Sequence, residues 1–502
     1  MTTQTFPSEL RATAPSRRTW FGLVVLMLPV ILVSMDFSVL YLAMPTITDA
    51  LEPSAAQQLW VLDIYGFMIA GLLVTMGNIG DRIGRRRILL AGAALFGTAS
   101  IAAAFAPSAG VLIAARALMG VGGATLMPAS LSLIANMFPR AADRAKAIGV
   151  WTAAFAGGAA IGPVVGGFLL HHYWWGVVFL INVPVLAVLF VAGPMLLPEY
   201  RSEQRHPFDF IGVALSLLGI LPAVYAVKSL ASEGVSAPAV GLGLFGLVML
   251  GAFLVHQNAT DHPLLNLKLF KNATFSASLA IALFGMMAQG GIAYLANVYL
   301  QSVLGHDVLA AALAGLPMAV TIAVFSIGAS RVAQWLGVRW ALAGSVFLAG
   351  IGTAGMALLT TTSPLWVFLL MTSIAGVGYG VQFALVTDVI VGSVPPEQSG
   401  AASGTSETAF ELGTALGLAL LGSLATAVYL SHDDGYGFSD SLGETLHHAD
   451  ALGTTGDALA SAAKLAFVDG FHAAALAGGA ALLVLSVVVL AVMRPQRSAE
   501  QP

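Results

Sequence analysis

The sequence predicts an all-α integral membrane protein of fourteen transmembrane helices, and three observations carry that prediction. Of the 502 residues, 58% are hydrophobic and only 9% charged, with a mean hydropathy of +0.88. A soluble surface needs roughly a quarter of its residues charged, so the solvent for most of this chain is lipid. The second observation is a series of fourteen apolar runs, each about 18 residues or longer and able to cross a bilayer. The third is how lysine and arginine are distributed over the connections.

In chain order the apolar cores cover residues 20–44, 56–77, 88–106, 109–136, 147–170, 174–197 and 209–230, then 236–256, 275–300, 309–331, 340–360, 364–392, 399–430 and 467–493. The first is too long for a signal-peptide core and lacks a convincing cleavage site, so it reads as a retained helix. With the N-terminus in the cytoplasm, the inner segments hold Arg11, Arg17 and Arg18; Arg82, Arg85, Arg86 and Arg87; and Arg140, Arg144 and Lys146. Further inner segments hold Arg201 and Arg205, Lys268 and Lys271, Arg331 and Arg339, and finally Arg494 and Arg497. Of the 21 basic residues only Arg116, Lys228 and Lys464 fall elsewhere, which supports an even count with both termini inside. The outer connections are short except 431–467. That segment carries Asp433, Asp434, Asp440, Glu444, Asp450 and Asp457, and it reads as a solvated loop with room for a short amphipathic hairpin. There is no cysteine, which excludes disulfides, thiolate metal sites and thiol catalysis.

An internal repeat organises the spans. Gly120-Val-Gly122 followed by Pro139 recurs as Gly376-Val-Gly378 followed by Pro395, at one offset of 256 residues. Two homologous halves are a common way to build a transporter. The expected organisation is a tail (1–19), a six-helix bundle (20–197) and an inserted helix pair (198–258). A second six-helix bundle (259–493) and a tail (494–502) complete the chain.

The stretch Gly77 to Arg87, GNIGDRIGRRR, lies between the second and third spans. Its arginines cannot enter hydrocarbon, and its glycines let two helices end and restart within a few residues. A basic loop alone signals only topology, but Asp81 among arginines is a paired, orientable charge. The spacing of Gly77, Asp81, Arg82, Gly84, Arg85 and Arg86 resembles the loop between helices 2 and 3 of the major facilitator superfamily of secondary transporters. A degraded copy, Gly328 to Arg339, lacks the aspartate.

The resemblance extends along the chain. Arg116-Ala-Leu-Met-Gly120-Val-Gly122 matches that superfamily's intramembrane arginine motif. Gly158, Gly162, Pro163, Gly166 and Gly167 match its antiporter motif. Pro29 to Pro45, with Asp36 and Tyr41, is similar to the first-helix signature of the fourteen-helix drug:proton antiporters; Tyr299-Leu-Gln301, Gly305 and Gly315-Leu-Pro317 also look like that branch. Independently of the resemblance, Pro163 removes a backbone hydrogen bond and the small residues around it admit a neighbouring helix.

Charges inside a membrane are costly and tend to face a cavity or a partner. Asp36, Asp63, Arg116, Asp388, Glu407 and Glu411 stand out. At about 1.5 Å per residue, Asp36, Asp63 and Arg116 reach comparable depths in the outer half. An Asp36–Arg116 or an Asp63–Arg116 couple is therefore open to the sequence. Glu407 and Glu411 share one helix face near the midplane, where two like charges repel and at least one should hold a proton at neutral pH. Their spacing looks like that of the quaternary-ammonium efflux pumps of the same branch. Asp388 sits near the cytoplasmic end of its span, without an assigned role.

Cavity walls should be apolar and aromatic, since ring faces attract quaternary ammonium groups. Tyr41, Trp60, Tyr65, Phe155, Tyr294, Tyr379 and Phe410 are the candidates, with Met286 and Met287 as adaptable neighbours. No nucleotide-binding glycine loop occurs, and the histidine pairs 171–172 and 447–448 lack further ligands, so no enzyme, metal site or nucleic-acid partner is expected. The expected function is a monomeric multidrug antiporter of the cell membrane. It exports lipophilic, mainly cationic compounds in exchange for protons, is driven by the proton gradient and uses no cofactor. A proton-linked transporter of a sugar or other small metabolite, or a lipid flippase or lipid enzyme, is the alternative.

Overall fold

The computed structural model describes residues 15–493, apart from 54, 202–208, 233–235, 261–262, 264, 266, 396–398, 434–436 and 440. The N-terminal half begins with α1 (Arg17–Leu51), α2 (Ala55–Ile83), α3 (Arg85–Ala104) and α4 (Ala109–Met137), and continues with α5 (Ala141–His172), the short α6 (Val177–Leu180) and α7 (Asn182–Leu196). The stretch expected to be an inserted pair holds α8 (Phe210–Ser232) and α9 (Ala237–Ala259). The C-terminal half holds α10 (Ala273–Val298), α11 (Val308–Leu336), α12 (Val338–Gly355), α13 (Leu365–Gly392), α14 (Ser399–Ser431), α15 (Leu442–Ala451) and α16 (Asp457–Val492). Among the described residues twelve helices are long and apolar enough to cross a membrane, α6 and α7 together forming one of them. With α2, of 29 residues, and α8, of 23, the described residues hold fourteen long helical segments, the number of apolar runs in the sequence.

Local chemistry sets the helix ends. Ser108 accepts from Val111 N and Asp307 from Ala310 N, each satisfying a free donor at a helix start. Between α2 and α3 the break is one residue, Gly84 at φ +115°. Between α11 and α12 it is Gly337 at φ +77°, so both copies of the repeated loop turn on a glycine in the left-handed region. The sequence suggested a connection from Gly77 onward. Instead α2 continues to Ile83, and Gly77 serves a helix contact. The segment expected to form the long outer loop is also shorter than the sequence suggested. Residues 457–467 belong to α16, and α15 is the amphipathic hairpin helix.

Each half has its own core. Leu26, Val30, Phe96, Leu112, Ile134, Phe138 and Leu189 anchor one that draws only on residues 20–197. Phe275, Ile281, Val346, Tyr379 and Leu482 anchor another within the second half. Shifting α1 by 256 residues lands Arg17 on Ala273, the start of α10. The same shift lands Ala109 of α4 on Leu365, the start of α13. The pair α1–α4 and the pair α10–α13 are therefore equivalent in the two halves. Helix α8 touches both halves, since Val224 packs with Phe67 of α2 and Ala415 of α14.

Candidate functional site

At the basic face the halves are held together on two sides. A Cβ at Gly77 would collide with the backbone of Gly400, and one at Gly404 with that of Leu73 and Val74, so α2 and α14 cross on glycines. That approach places the Asp81 carboxylate on the start of α14. It accepts from Gly400 N and Ala401 N at 3.2 Å each and from Arg85 Nε at 3.0 Å. A helix N-terminus offers unpaired N–H groups and a positive dipole end, so it holds an anion well. Arg85 also donates to Ser132 O of α4 at 3.2 Å. Arg82 donates to Asn78 Oδ1 at 3.0 Å, and Arg86 to Leu197 O at 2.9 Å, while the Arg86 N–H donates to Glu199 Oε1 at 3.1 Å. A Cβ at Gly84 would meet that same glutamate.

On the other side, Gly149 of α5 lies against the backbone of Ser326 in α11. There Arg144 Nε meets Asp388 Oδ1 at 2.8 Å. The partner of Asp388 had no signal in the sequence, because the two residues lie 244 positions apart.

Deeper in, Arg116 is 1% exposed and Asp36 7%. Arg116 Nη1 and Asp36 Oδ2 form an ion pair, Arg116 Nε donates to Val61 O at 3.2 Å, and the guanidinium lies 4.5 Å from the centre of the Tyr65 ring. Of the two couples open to the sequence, Asp36 makes the contact, and the side chain of Asp63 lies outside the described residues, as does that of Tyr41. Glu407 is 3% exposed, and its Oε1 has no hydrogen-bond partner among the described residues. Glu411 is half-buried. Tyr65 lies within electrostatic range of Asp36 and Arg116 in its own half and of Glu411 in the other.

The α5 stripe packs on α1. A Cβ at Gly158 would strike Ser34 and the backbone of Ile31, one at Gly162 would strike Ser38, and one at Gly166 would press on Val39. Gly167 meets nothing within 4 Å, so three of the four glycines serve this seam. Pro163 lies inside α5.

The aromatic candidates fall into separate groups. Trp60 stacks on Tyr225 of α8 with centroids 5.9 Å apart, a residue the sequence reading did not single out. Phe155 stacks on Trp151. Tyr379 stacks on Phe383 at 5.6 Å, and Phe383 meets Phe410 edge-on at 5.5 Å. Tyr294 is 54% exposed.

Two helical halves, closed over one face and carrying buried charges at their centre, define a membrane carrier. The chain belongs to the major facilitator superfamily: the model of that family matches residues 26–418. It is 39% identical to the multidrug efflux pump LfrA of Mycolicibacterium smegmatis over 483 residues, covering 94% of this chain and 95% of that one. It is 33% identical to the methyl viologen resistance protein SmvA of Salmonella typhimurium over 481 residues, covering 94% and 97%. Among solved structures, the human organic anion transporter MFSD10 matches 95% of this chain and 100% of that one, with a TM-score of 0.63 at 15% identity. The proton:xylose symporter XylE matches 94% and 95%, with a TM-score of 0.61 at 16% identity. At such identities these structures speak for the fold.

Proposed function

We propose that this protein is a proton-coupled multidrug antiporter of the cell membrane, with the basic face cytoplasmic, working as a monomer without a cofactor. It exports lipophilic organic cations, quaternary ammonium compounds among them. The observation that carries this reading is Glu407, a buried carboxylate whose Oε1 lacks a partner among the described residues. A carboxylate in low dielectric costs energy when charged and empty, so it holds either a proton or a cation. Competition for that one charge couples the two movements without contact between them. The relatives support the same reading, one bearing the name of a multidrug efflux pump and one of methyl viologen resistance.

Alternating access then needs a closure that opens and re-forms at the basic face. Asp81 on α14 and Arg144 on Asp388 supply it, one on each side. The test is dye efflux in inverted vesicles with and without a collapsed pH gradient. Accumulation that persists after collapse would remove proton coupling from the reading; no accumulation of any cationic dye would remove the drug class as well.

A further inference from the structure

The interface between α10 and α13 in the C-terminal half carries polar groups that nothing in the fold uses. Gln382 of α13 is 0% exposed, and neither its Nε2 nor its Oε1 has a hydrogen-bond partner among the described residues. A Cβ at Gly285 of α10 would collide with Gln382 Nε2, so the amide lies against that helix. Gln289 is one turn beyond Gly285 on the same face of α10, and its buried Oε1 also lacks a partner among the described residues. The Phe383 ring lies against Gly285 beside the Gln382 amide, and it meets the rings of Tyr379 and Phe410 in turn.

The repeat makes this interface the counterpart of the one that holds Asp36 and Arg116. The offset of 256 residues maps those two onto Ile292 and Thr372, so the equivalent position in the C-terminal half has no charge. Two uncharged carboxamides stand elsewhere on the same pair of helices, Gln289 three residues from Ile292 and Gln382 ten residues from Thr372, so they are neutral groups of this interface and not a copy of the ion pair. A buried amide without partners costs free energy on folding, and native proteins rarely keep one without a use. Each carboxamide offers both donors and an acceptor.

We propose that Gln382, with Gln289 one turn along the facing helix from Gly285, forms a neutral hydrogen-bonding subsite that reads the uncharged polar groups of a lipophilic cation. The carboxylates take the charge, and this interface takes amine, carbonyl or hydroxyl groups elsewhere on the drug. The inference rests on the cation export proposed above and adds to it a specificity-determining residue.

A stability measurement separates function from packing. Gln382→Met keeps the volume and removes the partnerless amide, so the purified variant should unfold at the same or a higher temperature. The binding probes are two monovalent cations, ethidium with two aromatic amino groups and tetraphenylphosphonium with no hydrogen-bonding group. Loss of a neutral hydrogen bond predicts ethidium binding weaker by about three- to ten-fold. Tetraphenylphosphonium binding should stay within about two-fold of wild type. Equal loss of both probes, or no loss of either with a raised melting temperature, would overturn the subsite while leaving cation binding intact. A wild-type protein that binds neither probe would overturn the cation reading, and this inference with it. If Gln382→Met does not fold, Gln289→Met is read by the same criteria.

Discussion

Arg144 and Asp388 lie in different halves of the molecule and meet at 2.8 Å, through a helix pair distinct from the one that seats Asp81 on α14. Their side chains are 19% and 15% exposed, so the pair is shielded enough to matter and open enough to break and re-form. A carrier that must reopen this face needs bonds of that intermediate strength.

Arg144→Ala and Asp388→Ala should each slow efflux several-fold by weakening the closure. The exchange Arg144→Asp with Asp388→Arg should recover part of that loss, because the attraction survives reversal. The chain has no cysteine. A cysteine introduced at Gly392, whose Cβ would meet Arg144 Nη2, can therefore report closure by its labelling rate. A swapped variant no faster than the single ones would mean the pair is only structural.

Asp81→Asn keeps the shape of the side chain but removes the charge facing the first N–H groups of α14. An anion at a helix N-terminus contributes about 0.3–1 kcal/mol, up to about 2 when partly buried. Transport turnover should drop, while drug affinity, measured on the purified protein, changes little. A variant with normal turnover would leave the arginine loop with topology alone.

Arg116→Ala removes one partner of a buried ion pair and strands Asp36. Such a loss costs about 3–5 kcal/mol, whereas removing both partners costs much less. The single variant should therefore melt well below wild type. The double variant Asp36→Ala with Arg116→Ala should recover stability without recovering proton-driven efflux. Full efflux in the double variant would exclude the pair from coupling.

Glu407→Gln and Glu411→Gln should lose divalent cations before monovalent ones, since two charges need two carboxylates. Resistance profiles over matched mono- and divalent quaternary ammonium compounds measure this directly. Equal loss across both classes would assign the pair to the proton alone.

Asp209, just before α8, ties the base of the inserted pair. Burial pushes its carboxyl up, but the Gly212 N–H, His256 and the Gln257 amide outweigh that and hold it below the usual range. A depressed carboxyl stabilises the folded state above its unfolded value of about 3.9, and that contribution is lost as the pH falls through the lower folded value. Thermal unfolding followed from neutral pH into this acid window should show the decline, and Asp209→Asn should flatten it. An unchanged acid limb in the variant would assign the decline to other carboxylates.

The sequence by itself determined what the solvent dictates. Hydrocarbon forces long apolar helices, so the all-helical fold is legible from hydropathy, and one shared offset marks the repeat. It also marked the residues whose chemistry is out of place in lipid, Asp36, Arg116, Glu407 and Glu411 among them. Only the tertiary structure decided partners. Arg144 and Asp388 are 244 residues apart, and no periodicity or spacing joins them. Gly77 read as a turn because glycine permits one, yet its use is to let α14 approach, which depends on a helix more than 300 residues later. Gln382 was invisible for the same reason. A glutamine in a helix is unremarkable until the fold buries it and leaves its amide without a partner. Local sequence carries the cost of each group in lipid; only packing of distant helices decides which groups are compensated, and that is where the candidate site lies.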